Sequence, residues 1–107
     1  MTTFDEREKA AEAVYVHEQD LAFRAHARRD RKLGIWAASL MGLNADETAA
    51  YADTMFATDI AAQGEAGLLA RVLQDLKAAK VDTSESAVRA KMAELLSVAM
   101  VEMKAGR

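Results

Sequence analysis

Residues 84–104 read SESAVRAKMAELLSVAMVEMK, and this stretch decides the fold class. Its apolar side chains recur at intervals of three and four residues, which places them on one face of an α-helix. They are Val88, Met92, Leu95, Leu96, Ala99 and Met103. Ser84 is a favoured residue at a helix start, and Gly106 follows the end. The stretch therefore predicts an amphipathic helix that buries one face.

Three more helices are predicted before it, over residues 21–41, 45–62 and 66–79. Gly42 ends the first of them, because glycine accepts the left-handed conformation of a helix stop and Leu43 can cover the last turn. Asn44 and Glu47 form a capping box that starts the second. Short connections force neighbouring helices to run antiparallel, so we expect a four-helix antiparallel bundle.

The 3.6-residue period also predicts which side chains face the core. In the first helix they are Ala22, His26, Arg29, Leu33, Trp36, Ala37 and Leu40, with Phe23, Ala27, Gly34 and Met41 beside them. In the second they are Ala49, Ala52, Phe56 and Ile60, with Met55 at the flank. In the third they are Leu69, Val72, Leu73 and Leu76.

Composition supports an all-α class and one domain. The 107 residues include 24 alanines and no proline, which favours helices. The absence of cysteine excludes disulfides, zinc–thiolate sites and thiol nucleophiles. Apolar runs are too short to cross a membrane, and the charged N-terminus does not resemble a secretion signal. We expect a cytoplasmic protein without direct membrane insertion.

The N-terminal segment, residues 1–18, differs from the rest. Thr3 and Glu6 form a capping box, so a helix should begin there and continue into the first bundle helix. Its apolar stripe is thin, with only Phe4, Ala11, Val14 and Tyr15 on one side. Such a helix is marginal alone in water, and we expect it to order against a partner. The predicted organisation is this segment followed by a bundle over residues 19–107.

The charges are arranged in blocks. Residues 24–32 carry a net charge of +4 and residues 33–67 a net charge of −5. Within the basic block we single out a basic stripe: Arg24, Arg28, Arg31 and Lys32. One interpretation is a surface for an anion, a nucleotide or nucleic acid. The other is a solvated face or a clamp on the acidic block, which fits a pI of about 5.4 better.

No enzyme motif occurs in the chain. Phosphate loops, dinucleotide fingerprints, zinc-protease and nucleophile-elbow patterns are missing. His17 and His26 are nine residues apart, so one continuous helix puts them on opposite faces and they cannot share a metal. His26 falls in the inner stripe, where a hydrogen-bonded core or boundary histidine is expected rather than a catalytic base. We predict no catalytic residues, no metal and no cofactor.

Three stretches closely resemble the zeta-type inhibitor subunit of alphaproteobacterial F-type ATP synthases. They are TFDEREKAAEAVYVHE over Thr3–Glu18, FRAHARRDRKLGIWAASLMGL over Phe23–Leu43, and ELLSVAMVEMKAG over Glu94–Gly106. The opening FDEREKAAEAVY also resembles the inhibitory segment of the mitochondrial ATPase inhibitor protein. One departure is Lys80 before Val81, where the resemblance leads us to expect glycine.

The resemblance implies an inhibitor of ATP hydrolysis. Its N-terminal helix would wedge into a catalytic interface of the ATPase head and stop rotation, so that the partners are the catalytic head and the rotor. Phe4 would be the apolar anchor, extended by Val14 and Tyr15. The charge pairs that set the register would come from Asp5, Arg7, Glu8, Lys9 and Glu12.

It also implies a cytoplasmic protein peripheral to the membrane-bound synthase. No nucleic acid is expected as a partner, and weak nucleotide binding at a shallow site among arginine and lysine side chains stays open. The alternative hypothesis is a helical module that binds an anion, a nucleotide or nucleic acid through the basic stripe.

Overall fold

The computed structural model describes the backbone of residues 2–62 and 64–106 and the side chains of residues 19–61 and 64–106. Its helices are α1 (Thr2–Met41), α2 (Ala45–Ala62), α3 (Glu65–Ala78) and α4 (Glu85–Lys104). No strand occurs in these ranges. The all-α four-helix bundle is therefore confirmed, with helix ends within about two residues of those predicted.

Helix α1 is about twice as long as its neighbours. Its 40 residues span roughly 60 Å at 1.5 Å per residue, and the whole molecule is 65 Å long. The end of α4 lies level with the middle of α1, because Met103 and Gly106 line a groove with Leu21 and Phe23. The first part of α1 therefore continues past the ends of the other helices. That residues 1–18 order only against a partner stays a prediction.

The turns between α1 and α2 follow the predicted chemistry. Gly42 has φ of 74°, and the amide of Leu43 donates to the carbonyl of Ala38 at 3.1 Å. This 6→1 bond is the signature of the helix stop predicted there. Asn44 and Glu47 exchange backbone-to-side-chain hydrogen bonds of 2.8 and 3.0 Å. The predicted capping box is confirmed.

The same helix stop recurs after α3, at Lys80. The amide of Val81 donates to the carbonyl of Leu76 at 2.9 Å, and Lys80 has φ of 62°. Lysine thus holds a left-handed backbone conformation in which its Cβ crowds the following carbonyl. Lysine in place of the expected glycine therefore leaves the turn intact but strains the backbone.

Lys80→Gly is expected to raise the free energy of unfolding by about 0.5–1 kcal/mol, because it removes that crowding. The gain is less than the full strain since glycine loses more backbone freedom on folding. Urea denaturation followed by circular dichroism measures it. The matched control is Ala79→Gly, whose φ of −82° needs no glycine and which should not stabilise the protein. Equal changes in the free energy of unfolding of the two variants would show that the backbone at Lys80 is not strained.

The core lies among all four helices. Its buried members are Leu33 and Ala37 from α1, Met55 from α2, Leu68, Leu69, Val72 and Leu76 from α3, and Val88 and Met92 from α4. Gly34 allows α1 and α2 to approach closely. A Cβ atom there would lie only 2.7 Å from Ala52 Cα and Met55 Cγ.

The predicted inner face of α2 was partly wrong. Ala52 is buried as expected, but Met55 is fully buried rather than at the flank, whereas Ala49 is exposed and Ile60 is 58% exposed. The reason is the close contact at Gly34, which draws the Ala52–Met55 side of α2 against α1. In α1 the two ends of the predicted inner stripe, Ala22 and Leu40, are exposed as well.

Candidate functional site

The basic stripe is paired with carboxylates throughout. Arg24 Nε lies 3.2 Å from Asp20 Oδ2 on the same helix, and Arg31 binds Asp53 of α2. Two cations converge on α4, where Glu102 Oε1 lies 2.9 Å from Lys32 Nζ and 3.7 Å from Arg28 Nη1. Of these four cations, Arg31 reaches the acidic block, and Arg29 of the same basic block also does so, through Glu65. The two bridges to Glu102 join α1 to α4, which spacing along the sequence did not indicate.

A buried charge cluster joins α1 to the α2–α3 turn. Arg29 is 1% exposed and Asp30 is fully buried. Arg29 Nε donates to Asp30 Oδ1 at 2.7 Å, and its Nη1 donates to Glu65 Oε1 at 2.9 Å. Asp59 Oδ2 lies 3.8 Å from Nη2. Three carboxylates thus surround one guanidinium, which leaves the cluster with an excess of negative charge.

Burial, together with the neighbouring charges and hydrogen bonds, shifts the pKa values of Asp30 and Arg29. Burial raises the pKa of Asp30 to about 7, and the Asp59 carboxylate adds to the rise because it accepts a hydrogen bond from the protonated form, while Arg29 opposes it. Burial by itself lowers the pKa of Arg29, but hydrogen bonds to Glu65 and Asp30 outweigh that effect and raise it. As a carboxylate oxygen, Asp30 Oδ2 has no hydrogen-bond donor among the described residues.

His26 stands at the edge of the cluster, with 41% of its side chain exposed. Its Nδ1 lies 3.2 Å from Arg29 Nη2 and 3.9 Å from Glu65 Oε1. The structure confirms a hydrogen-bonded boundary histidine. Periodicity also placed Arg29 on the inner face, but it gave no reason to bury Asp30, whose neighbours in the chain are charged.

A cleft of about 230 Å³ adjoins the cluster between α1, α3 and α4. Leu69, Met92 and Leu96 form its apolar wall. The arginines that line the cleft already form ion pairs: Arg29 binds Glu65, and Arg89 binds Glu85 of its own helix. Across the described part of the chain, no three His, Asp or Glu side chains are grouped to hold a metal ion.

The predicted partner-binding residues lie on the first turns of α1. They are Phe4, Asp5, Arg7, Glu8, Lys9, Glu12, Val14 and Tyr15, and the backbone there is helical and continuous with the bundle. Their side chains fall outside the described residues, so their individual roles stay predictions.

A family model described as ATPase inhibitor subunit zeta matches residues 1–102. The chain belongs to this zeta family. The match runs from the N-terminal segment through α1, α2 and α3 and covers all but the last two residues of α4. No curated protein and no solved structure matches the chain.

Membership of the zeta family supports a role as an inhibitor of ATP synthase, in contact with that enzyme and without catalytic activity of its own. It confirms the resemblance drawn from the three sequence stretches. In the described part of the chain, no helix is long and apolar enough to cross a membrane.

Proposed function

We propose that this zeta-family chain inhibits ATP hydrolysis by inserting the N-terminal part of α1 into a catalytic interface of the F-type ATPase head. One observation carries the proposal: α1 is a single helix about twice as long as α2 or α4. A four-helix bundle of this size needs only the second half of it. The family match, which begins at residue 1, supports a function for the first half.

The proposed mechanism is a wedge. A helix that contacts a pair of catalytic subunits together with the rotor binds one rotational state better than the others. Inhibition is then limited by that difference in affinity, because equal binding to all states would shift nothing. Phe4 anchors the helix, Val14 and Tyr15 continue its apolar stripe, and the charged residues between them set the register. The protein acts from the cytoplasmic side, peripheral to the membrane, and needs no cofactor.

The paired basic stripe does not favour the alternative function. Every one of its four cations already has a carboxylate within 4 Å, so an anion or nucleic acid would have to displace internal partners. The carboxylates also repel phosphate.

The test is ATP hydrolysis by an inhibitor-depleted ATPase head, titrated with the full chain and with a version that starts at Glu18. We expect inhibition by the full chain only, and circular dichroism should show the bundle folded in both. Phe4→Ala is expected to raise the half-inhibitory concentration at least tenfold, since burial of a phenylalanine is worth roughly 1.5–3 kcal/mol. Thr2→Ala, outside the apolar stripe, is the control.

Equal inhibition by both lengths would move the active surface to the bundle and contradict the wedge. Inhibition by neither would show that this head is not the target.

A further inference from the structure

Large apolar side chains are exposed at the level where α1 leaves the bundle. Phe23 of α1 is 57% exposed and Ile60 of α2 is 58% exposed. Between them lies the half-buried Phe56, whose ring meets that of Phe23 edge to face with centroids 5.4 Å apart. Phe56 and Ile60 are four residues apart in α2 and share a face. These three side chains form one continuous patch across two helices.

The patch continues onto α4. On its other side, Phe23 lines a groove of about 470 Å³ with Leu21 and Ala27 of α1 and with Met103 at the end of α4. We call the apolar surface formed by Leu21, Phe23, Phe56, Ile60 and Met103 the shoulder. Exposed apolar residues scattered singly are ordinary, whereas a contiguous patch marks an interaction surface.

The cations around the shoulder are paired with carboxylates. Arg24 is paired with Asp20, and Arg28 lies 3.7 Å from Glu102. A charged ligand would have to compete with these internal ion pairs. The surface fits an apolar, uncharged protein partner, and its contribution to binding should depend little on salt.

The continuity of α1 determines what faces the shoulder. Tyr15 and Phe23 lie on one unbroken helix, eight residues and therefore about 12 Å apart along its axis. The two residues are related by a rotation of about 80° about the helix axis, so a partner that surrounds the first turns of α1 comes within about 12 Å of Phe23.

We propose that the shoulder is a second contact with the ATPase head, seated on an apolar rim of the interface that receives the N-terminal helix. This rests on the proposed function. The helix supplies the wedge, and the shoulder lengthens the residence time of the inhibitor by burying apolar surface outside the groove. A second copy of the chain is the competing occupant.

Ile60→Ser tests the proposal, because this side chain is exposed and its loss should leave the fold intact. Ile35→Ser is the matched control: Ile35 is 42% exposed and lines a different groove with Leu43 and Ala45. We expect Ile60→Ser to raise the half-inhibitory concentration about tenfold through faster dissociation, equally at low and high salt. The control should stay within twofold of the unmodified chain. Unfolding in urea verifies that both variants are folded.

Each outcome decides between the two proposals. If the unmodified chain inhibits, Phe4→Ala does not, and Ile60→Ser inhibits as well as the unmodified chain, the wedge stands and the shoulder is overturned. If the unmodified chain fails to inhibit, the proposed function is wrong, and the proposed contact of the shoulder with the ATPase head is wrong as well. Sedimentation velocity measures whether the chain forms a dimer, which is the third outcome. A dimer that Ile60→Ser dissociates without any loss of inhibition would make the shoulder an interface between copies and overturn the contact with the head.

Discussion

Replacing Arg29 with methionine is expected to lower the free energy of unfolding by about 3–5 kcal/mol at neutral pH. Arg29 is the only cation of the buried charge cluster, where its guanidinium binds Asp30 and Glu65 directly. Methionine fills similar space but leaves the buried carboxylate of Asp30 and the largely buried one of Asp59 without a countercharge. The loss is a large part of the 5–15 kcal/mol typical of small domains. Urea denaturation at pH 7 measures it.

Arg24→Met is the matched control, because Arg24 forms an ion pair of similar type that is well exposed to water. Its removal should change stability by less than about 1 kcal/mol. Should Arg29→Met be unfolded without denaturant, Arg29→Lys provides a graded change: the charge remains but the two-pronged hydrogen bonding is lost. A cost below about 1 kcal/mol for both Arg29 variants would contradict the importance of the cluster.

The stability of the protein is expected to fall by about 2–3 kcal/mol between pH 5 and pH 8, and Asp30→Asn is expected to remove most of this dependence. The pKa of Asp30 is about 7 in the fold, above its ordinary value near 4. Between these values the folded chain holds a proton that the unfolded chain has released. Stability is therefore highest at the acidic end of the window and is lost as the pH rises through 7.

Urea midpoints of both chains across this range measure the effect. Asparagine keeps the shape of the side chain and cannot ionise. Every other ionisable group is the same in the two chains, so the difference between the two curves isolates Asp30. Parallel curves would show that Asp30 does not change its protonation on folding.

Much of the fold follows from local sequence signals. The spacing of apolar residues in α4, the stop at Gly42 and the capping box of Asn44 and Glu47 each depend on residues within a few positions of one another, and all agree with the structure. The inner face of α2 could not be predicted from local signals. Alanine occurs all around that helix, so the pattern permits several orientations, and the contact with Gly34 of another helix selects one of them.

The site divides in the same way. Charge blocks in the sequence identified the basic stripe, but its partner Glu102 is 70 residues away from Lys32, and only the antiparallel packing of α1 and α4 brings them together. Asp30 was missed because a carboxylate next to arginines in a helix is usually solvated. The exposed Phe23 and Ile60 were missed for the opposite reason, since large apolar residues are expected inside.

Because α1 is unbroken, the distance between its first turns and the bundle also fixes how the bundle is rotated about the helix axis. Each residue of an α-helix advances 1.5 Å and turns 100°, so one residue added between Tyr15 and Phe23 would turn the whole bundle by 100° about the helix axis. Four added residues would turn it by only about 40° but carry it about 6 Å outward. The number of residues between the first turns of α1 and the bundle therefore determines the rotation of the bundle about the axis of α1 as well as its distance from those turns.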